Sequence, residues 1–319
     1  MTMARILVAA LMGLLMVGTA SAQERLRVGK AVTSAFTFVP LDVGMDAGLF
    51  KQHGLDIDEY NFGGSAKLQQ ALAANSIDIG IGSGPELSFI AKGAPVLGVA
   101  AMAGKPALLC LVVATPGPIH TVADLKGKTV SSSTTGSLTT WLVRELSRQQ
   151  GWGPDGINLA FLGEEPAQLA ALRTGDTQGA TVQIAAGYRL EETGIGKILY
   201  RFGDIAPHFI IHVIYARKAL IAGNPDAVRR FLAGWFETIA YMAKHKDETV
   251  RIAAPIMGVS PKLAARAYDE LMPTFSRDGK FDPEALKVLA RSYVEMDLLP
   301  AEPDMSKLIT ERFLPGAPQ

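Results

Sequence analysis

The segment Ile57–Glu86, IDEYNFGGSAKLQQALAANSIDIGIGSGPE, constrains the fold more than any other part of this 319-residue chain. It reads as a strand (57–62), a turn (Gly63-Gly64-Ser65), a helix (66–74), a second strand (77–81) and a further turn, Gly82-Ser83-Gly84. Both strands end on small residues able to open a helix. The start of a helix leaves backbone N–H groups unpaired and carries partial positive charge, so it suits an anion or a polar group. Glycine lets a ligand approach the backbone, and serine adds a hydroxyl as cap or donor. The same arrangement returns at Thr129–Glu145, TVSSSTTGSLTTWLVRE. Two such units in one chain predict two facing half-sites.

The rest of the chain fits that expectation. Strands alternate with helices throughout, the pattern of an α/β fold with mostly parallel sheets flanked by helices. Thr115-Pro116-Gly117-Pro118 and Gly203–Pro207 are the two strong breaks. They predict a second lobe, residues 115–207, inserted into a discontinuous first lobe made of 23–114 and 208–319. From Pro225 onward the pattern is helical, with Asn224-Pro225 and Ser260-Pro261 as start signals. Two lobes joined by two crossings bind ligands in the cleft between them by hinge closure.

The first 22 residues are read as a leader. A single basic residue, Arg5, precedes the apolar run Ile6–Val17, which is too short to span a bilayer. Ala20-Ser21-Ala22 gives an A-x-A cleavage site before Gln23, so a secretory signal cleaved after Ala22 and a periplasmic location are expected. No later segment has the length of a membrane helix, so no membrane insertion is expected after cleavage. Lys plus Arg and Asp plus Glu are each 31, a balance that argues against a nucleic-acid surface or a polybasic membrane patch. The lone Cys110 lies in an apolar strand-like run and reads as an inert core residue.

Strand ends nominate the site. Ser34 and Phe36 follow the first strand, where Phe36 serves equally as core or as a stacking face for a ring. Gly64 and Ser65 open one helix. Ser83 and Glu86 follow the next strand, with Glu86 readable as a first-turn acid favoured by the helix dipole or as a ligand contact. Thr135, Gly136 and Ser137 form the helix start of the second lobe, within a run too polar for any core. Trp141 on that helix, Gln183 at a strand end and His208 at the return crossing complete the candidates. His208 and His212 are roughly 13 Å apart in a strand at about 3.3 Å per residue, too far to share one ion. No CxxC, HExxH, EF-hand, P-loop or G-x-S-x-G signature occurs, so no metal, cofactor or catalytic residue is nominated.

Several stretches, taken in order, resemble a known family. Asp46-Ala47-Gly48-Leu49-Phe50 followed by His53-Gly54-Leu55-Asp56-Ile57, and Asp124-Leu125-Lys126-Gly127-Lys128-Thr129-Val130, are similar to segments of the nitrate/sulfonate/taurine class of ABC-transporter substrate-binding proteins. Gly63-Gly64-Ser65 and Asp78-Ile79-Gly80 agree as well. The resemblance spans the mature chain and implies the two-lobe fold of type II periplasmic binding proteins. It also implies a small-molecule ligand, an organic or inorganic anion or a heterocycle, and an ABC permease as partner. The protein is expected to be a monomer and not an enzyme. Gln183-Ile184-Ala185 departs from the acidic or proline-containing loop of many relatives, so the resemblance does not carry ligand identity. An enzyme on the same fold and a sensor subunit serving a receptor are the rival readings.

Overall fold

The computed structural model describes residues 23–317; the expected signal segment 1–22 lies outside the described residues. Ten strands form two sheets of five: β1 (Glu24–Lys30), β2 (Leu55–Asn61), β3 (Ile79–Ser83), β4 (Val96–Ala103), β5 (Leu109–Ala114), β6 (Thr129–Ser132), β7 (Asn158–Phe161), β8 (Gly179–Gln183), β9 (Gly196–Arg201) and β10 (His212–Arg217). The first sheet has the order β2-β1-β3-β10-β4 and the second β7-β6-β8-β5-β9. In each sheet four strands run one way and the fourth in order runs against its neighbours: β10 is antiparallel to β3 and β4, and β5 to β8 and β9. The sheets are therefore mixed, and the reversed strand of each is the one that arrives from the other lobe.

That topology moves the expected boundary. The expected first lobe includes Leu109–Ala114, but that run is β5 and pairs within the second sheet, Leu111 lying opposite Thr181 and Tyr200. The chain crosses between Ala103 and Leu109, and returns between Arg201 and His212. Thr115–Pro118, with more breakers than Gly104-Lys105-Pro106, is a turn inside the second lobe. A tight turn and a lobe crossing need the same residues, so breaker density does not separate them.

Local packing explains the strand–turn–helix units. Helix Ser65–Ala73 buries Leu68, Gln69 and Leu72 against the first sheet. It lies so close that a Cβ at Gly80 would meet Leu72 Cδ1 at 2.8 Å, and one at Gly29 would meet Leu68 Cδ1 at the same distance. In the second lobe, helix Leu138–Gln149 buries Leu138, Trp141, Leu142 and Leu146 on one face. The helical stretch after the first strand is split at Gly48, whose φ of 71° suits glycine, into Val39–Asp46 and Leu49–Gln52. Asn224 and Ser260 cap their helices by accepting from the Ala227 and Leu263 N–H groups. The C-terminal helices pack on the first lobe, and the tail covers its edge: Gly98 N–H donates to Leu308 O and Thr310 N–H to Gly98 O.

Lys30 and Asp78 are buried with oppositely charged partners. Lys30, 1 % exposed, bonds both Asp42 and Glu59 at 2.7–3.0 Å. Burial lifts the Asp42 carboxyl above the usual range despite Lys30. Asp78 bridges Arg27 and Arg217. Desolvation alone would raise its pKa, but the guanidinium hydrogen bonds outweigh it and bring it down to about 2. Cys110 is fully buried, and burial pushes its thiol up.

Candidate functional site

The lobes close over two linked cavities of about 80 and about 90 Å³ that share Val32, Leu109, Ser133, Thr139 and Gln183. The lobes touch at the mouth. There the loop after β2 meets the loop after β7, and a Cβ on Gly63 would sit 3.1 Å from Glu164 Oε1.

The first cavity is hydroxyl-rich. Ser65, Ser83 and His212 face it from the first lobe, and Ser133, Ser137 and Thr139 from the second. The first-lobe hydroxyls rest on Glu86, which is 1 % exposed and lies behind the wall. Its Oε1 accepts from Ser83 N–H at 2.7 Å and from Ser83 Oγ at 3.2 Å, while Oε2 accepts from Gln69 Nε2 at 2.7 Å. Burial raises the Glu86 carboxyl, opposed by those hydrogen bonds. Glu86 is therefore a positioning residue for the Ser83 turn, not a cavity wall. On the other side Thr139 Oγ1 is the hub of a hydroxyl cluster, with Ser132 Oγ at 2.8 Å and Ser133 Oγ and Ser137 Oγ at 2.9 Å.

His212 opens β10, in register with Ser83. Its Nδ1 lies 2.7 Å from Thr37 Oγ1 and its ring 4.6 Å from that of Phe38. Burial drives its pKa down to about 3, so the imidazole is neutral at physiological pH.

The second cavity is different in chemistry. Ser34 and Val32 meet Gly163, Glu164, Glu165, Gln168, Thr181 and Gln183 there. Gln168 and Thr181 are 3 % and 2 % exposed, yet Gln168 Oε1 and Thr181 Oγ1 have no hydrogen-bond partner. Burial raises both the Glu164 and the Glu165 carboxyls. A wider depression of about 460 Å³ lies at the crossings, but the Arg201–Glu270 bridge across it, at 2.7 Å, already joins its charged walls.

Of the residues nominated from sequence, Ser34, Ser65, Ser83, Ser137 and Gln183 line the two cavities. The others stand elsewhere. Phe36 is core, its ring 6.2 Å from Tyr268 and 6.0 Å from Phe275. Gly64 caps its helix, and its N–H is taken by Ala31 O. Thr135 is exposed on a turn, and Gly136 packs against Leu298. Trp141 is 1 % exposed, stacked on Phe209 and bonded to Glu295. His208 is exposed near Asp282, so His212 takes the place expected of it. Sequence reasoning missed Ser133, Thr139, Glu164, Glu165, Gln168, Thr181 and His212. The signal for the acidic pair was the strand end before Glu164-Glu165-Pro166, a third strand-to-helix turn.

Among the described residues no group of three or more His, Cys, Asp or Glu side chains is placed to hold a metal ion, and no helix is long and apolar enough to cross a membrane. The paired five-stranded lobes around a polar cleft define a two-lobe α/β protein with the periplasmic binding protein fold. The chain belongs to the NMT1/THI5 like family, which it matches over residues 35–249. It is 27% identical over 329 residues to the "Putative aliphatic sulfonates-binding protein" of Escherichia coli (strain K12), covering 96% of this chain and 97% of that one. Among solved structures it superposes on the MOPS-bound alkanesulfonate-binding protein SsuA of Xanthomonas axonopodis pv. citri with a TM-score of 0.77 at 18% identity, covering 90% and 98% of the two chains. The desulfurization enzyme DSZB shares the fold at a TM-score of 0.68 and 15% identity, over 91% and 97%.

Proposed function

We propose that this protein is the solute receptor of an ABC importer: a periplasmic monomer that closes on one small polar molecule and offers it to a permease. The observation that carries this reading is the convergence of Ser65, Ser83 and His212 from one lobe with Ser133, Ser137 and Thr139 from the other on a single cavity. A ligand touching both sets gains its full affinity only in the closed form, so it favours closure by that difference. The permease would then read the closed surfaces of both lobes. The relatives' names support a binding role, and an uptake substrate among small organic acids or heterocycles follows from the same likeness.

The test is a thermal-shift screen of sulfonates, carboxylates, nitrate and heterocycles, followed by small-angle scattering with and without each hit. A stabilising ligand that also compacts the protein, and loses affinity in Thr139→Val, supports the receptor reading. Conversion of a hit to product would instead favour an enzyme on this fold.

A further inference from the structure

The second cavity asks for a different chemistry from the first. Beside the hydroxyls of Ser34, Ser133, Thr139 and Thr181 and the Gln183 amide, its wall carries a cluster of acceptors that the first cavity lacks: the Glu164 and Glu165 carboxyl groups and the amide oxygen of Gln168. Gln168 Nε2 donates to Gly163 O at 2.9 Å, which fixes the amide so that Oε1 is the atom left over. That oxygen and Thr181 Oγ1 are both buried and unpartnered. A buried acceptor without a donor costs about 1–3 kcal/mol, so the wall is built for a group that donates.

Three backbone donors at this wall are already taken. The N–H groups of Ser133, Gly163 and Gln183, which would otherwise serve an anion, are bonded to Thr139 Oγ1, Ser133 O and Glu165 Oε2. No lysine or arginine lines either cavity. Arg189, outside the lining, forms a long ion pair with Glu165 Oε1 at 3.8 Å through one guanidinium nitrogen and donates to Gly258 O at 2.7 Å through the other. Lys67 approaches Glu164 from the other lobe closely enough only to moderate its charge. An anion placed here would face two acidic side chains whose only cationic neighbours, Arg189 and Lys67, stand outside the cavity lining, whereas an N–H-bearing cation would meet the acceptors Glu164, Glu165 and Gln168 Oε1.

We infer that the second cavity receives a protonated nitrogen, an ammonium or amidinium group, so that the captured solute is an amine- or amidine-bearing molecule rather than a simple sulfonate, carboxylate or nitrate. This rests on the receptor reading above. The solute's polar remainder lies among the hydroxyls of the first cavity, joined to it through Thr139 and Gln183.

Calorimetry on the full chain with two matched sets tests this: butylamine, butanol and butanesulfonate, then benzamidine, benzamide and benzoate. The nitrogen cation of each set is expected to bind at least ten-fold tighter than its partners. Glu165→Gln, which keeps an acceptor for the Gln183 N–H, should remove most of that preference, and Thr181→Val should reduce it with an unchanged melting temperature. Equal or tighter binding of butanesulfonate or benzoate overturns the inference and leaves the receptor role standing. Silence from all six compounds, in protein whose melting curve shows it folded, overturns the inference, and overturns the receptor role as well where the thermal-shift screen also finds no ligand.

Discussion

Trp141 of the second lobe donates its indole N–H to Glu295 Oε2 of the first, at 2.9 Å, and the same oxygen accepts from Arg148 at 3.0 Å. One carboxylate therefore ties two side chains of helix Leu138–Gln149 across the lobe boundary. Glu295→Ala leaves a buried indole N–H without a partner and removes a charge-assisted bond. We expect a loss of about 1–2 kcal/mol, concentrated in the closed form. Ligand affinity should fall roughly ten-fold, with the ligand-free protein more expanded by small-angle scattering.

Thr139 and Thr135 make a matched pair. Both are threonines near the same helix start, but Thr139 joins three hydroxyls in the cavity wall while Thr135 is exposed. Thr139→Val should weaken binding at least ten-fold, and Thr135→Ala should leave it unchanged in the same titration. Ser137→Ala carries a second cost, because Ser137 caps the helix through the Thr140 N–H; about 1 kcal/mol of stability should go with it.

The buried His212 gives the stability curve a signature in acid. Its folded-state pKa, about 3, lies below the ordinary value of 6.5, so the unfolded chain binds more protons between those limits. Stability should be unaffected by this residue above 6.5 and fall as pH drops toward 3, by up to about 1.4 kcal/mol per pH unit. His212→Gln should flatten that slope in denaturant titrations at pH 4.5 and 7.0. Asp78 adds a separate loss at lower pH, as its bridges to Arg27 and Arg217 give way between 3.8 and about 2.

Gly136 touches the other lobe directly. Its φ is 72°, and a Cβ there would fall 2.5 Å from Leu298 Cδ2. Gly136→Ala thus combines left-handed backbone strain with a forced retreat of Leu298, and should cost about 1–2 kcal/mol in thermal melts. Because the obstruction lies between lobes, ligand affinity should fall with it even though Gly136 lines neither cavity.

The strand–turn–helix repeat made the two-lobe plan legible before any coordinate, since glycine and serine after a strand do the same physical work in both lobes. What it could not carry was direction. In the run Ser131–Ser137 every residue is polar, threonine or glycine, yet only Ser133 and Ser137 of the stretch face the cavities; the strand's pleat and the helix's pitch decide which. His208 and His212 illustrate the same limit: one is exposed beside Asp282, while the other enters the sheet opposite Ser83. Phe36 and Trp141 are large aromatics near strand ends, and burial area drew them into the core ahead of any ligand. The lobe boundary was misplaced because β5 is as apolar as a strand of either sheet.

The two reversed strands also set an order of assembly. β5 through β9 are contiguous, so the second sheet has all its members once residue 201 exists. The first sheet does not: β10 must slot between β3 and β4, whose facing edges stay unpaired until residue 217 has been made. The inserted lobe can thus mature while the lobe that began the chain still waits for its keystone, and synthesis order and folding order run opposite ways.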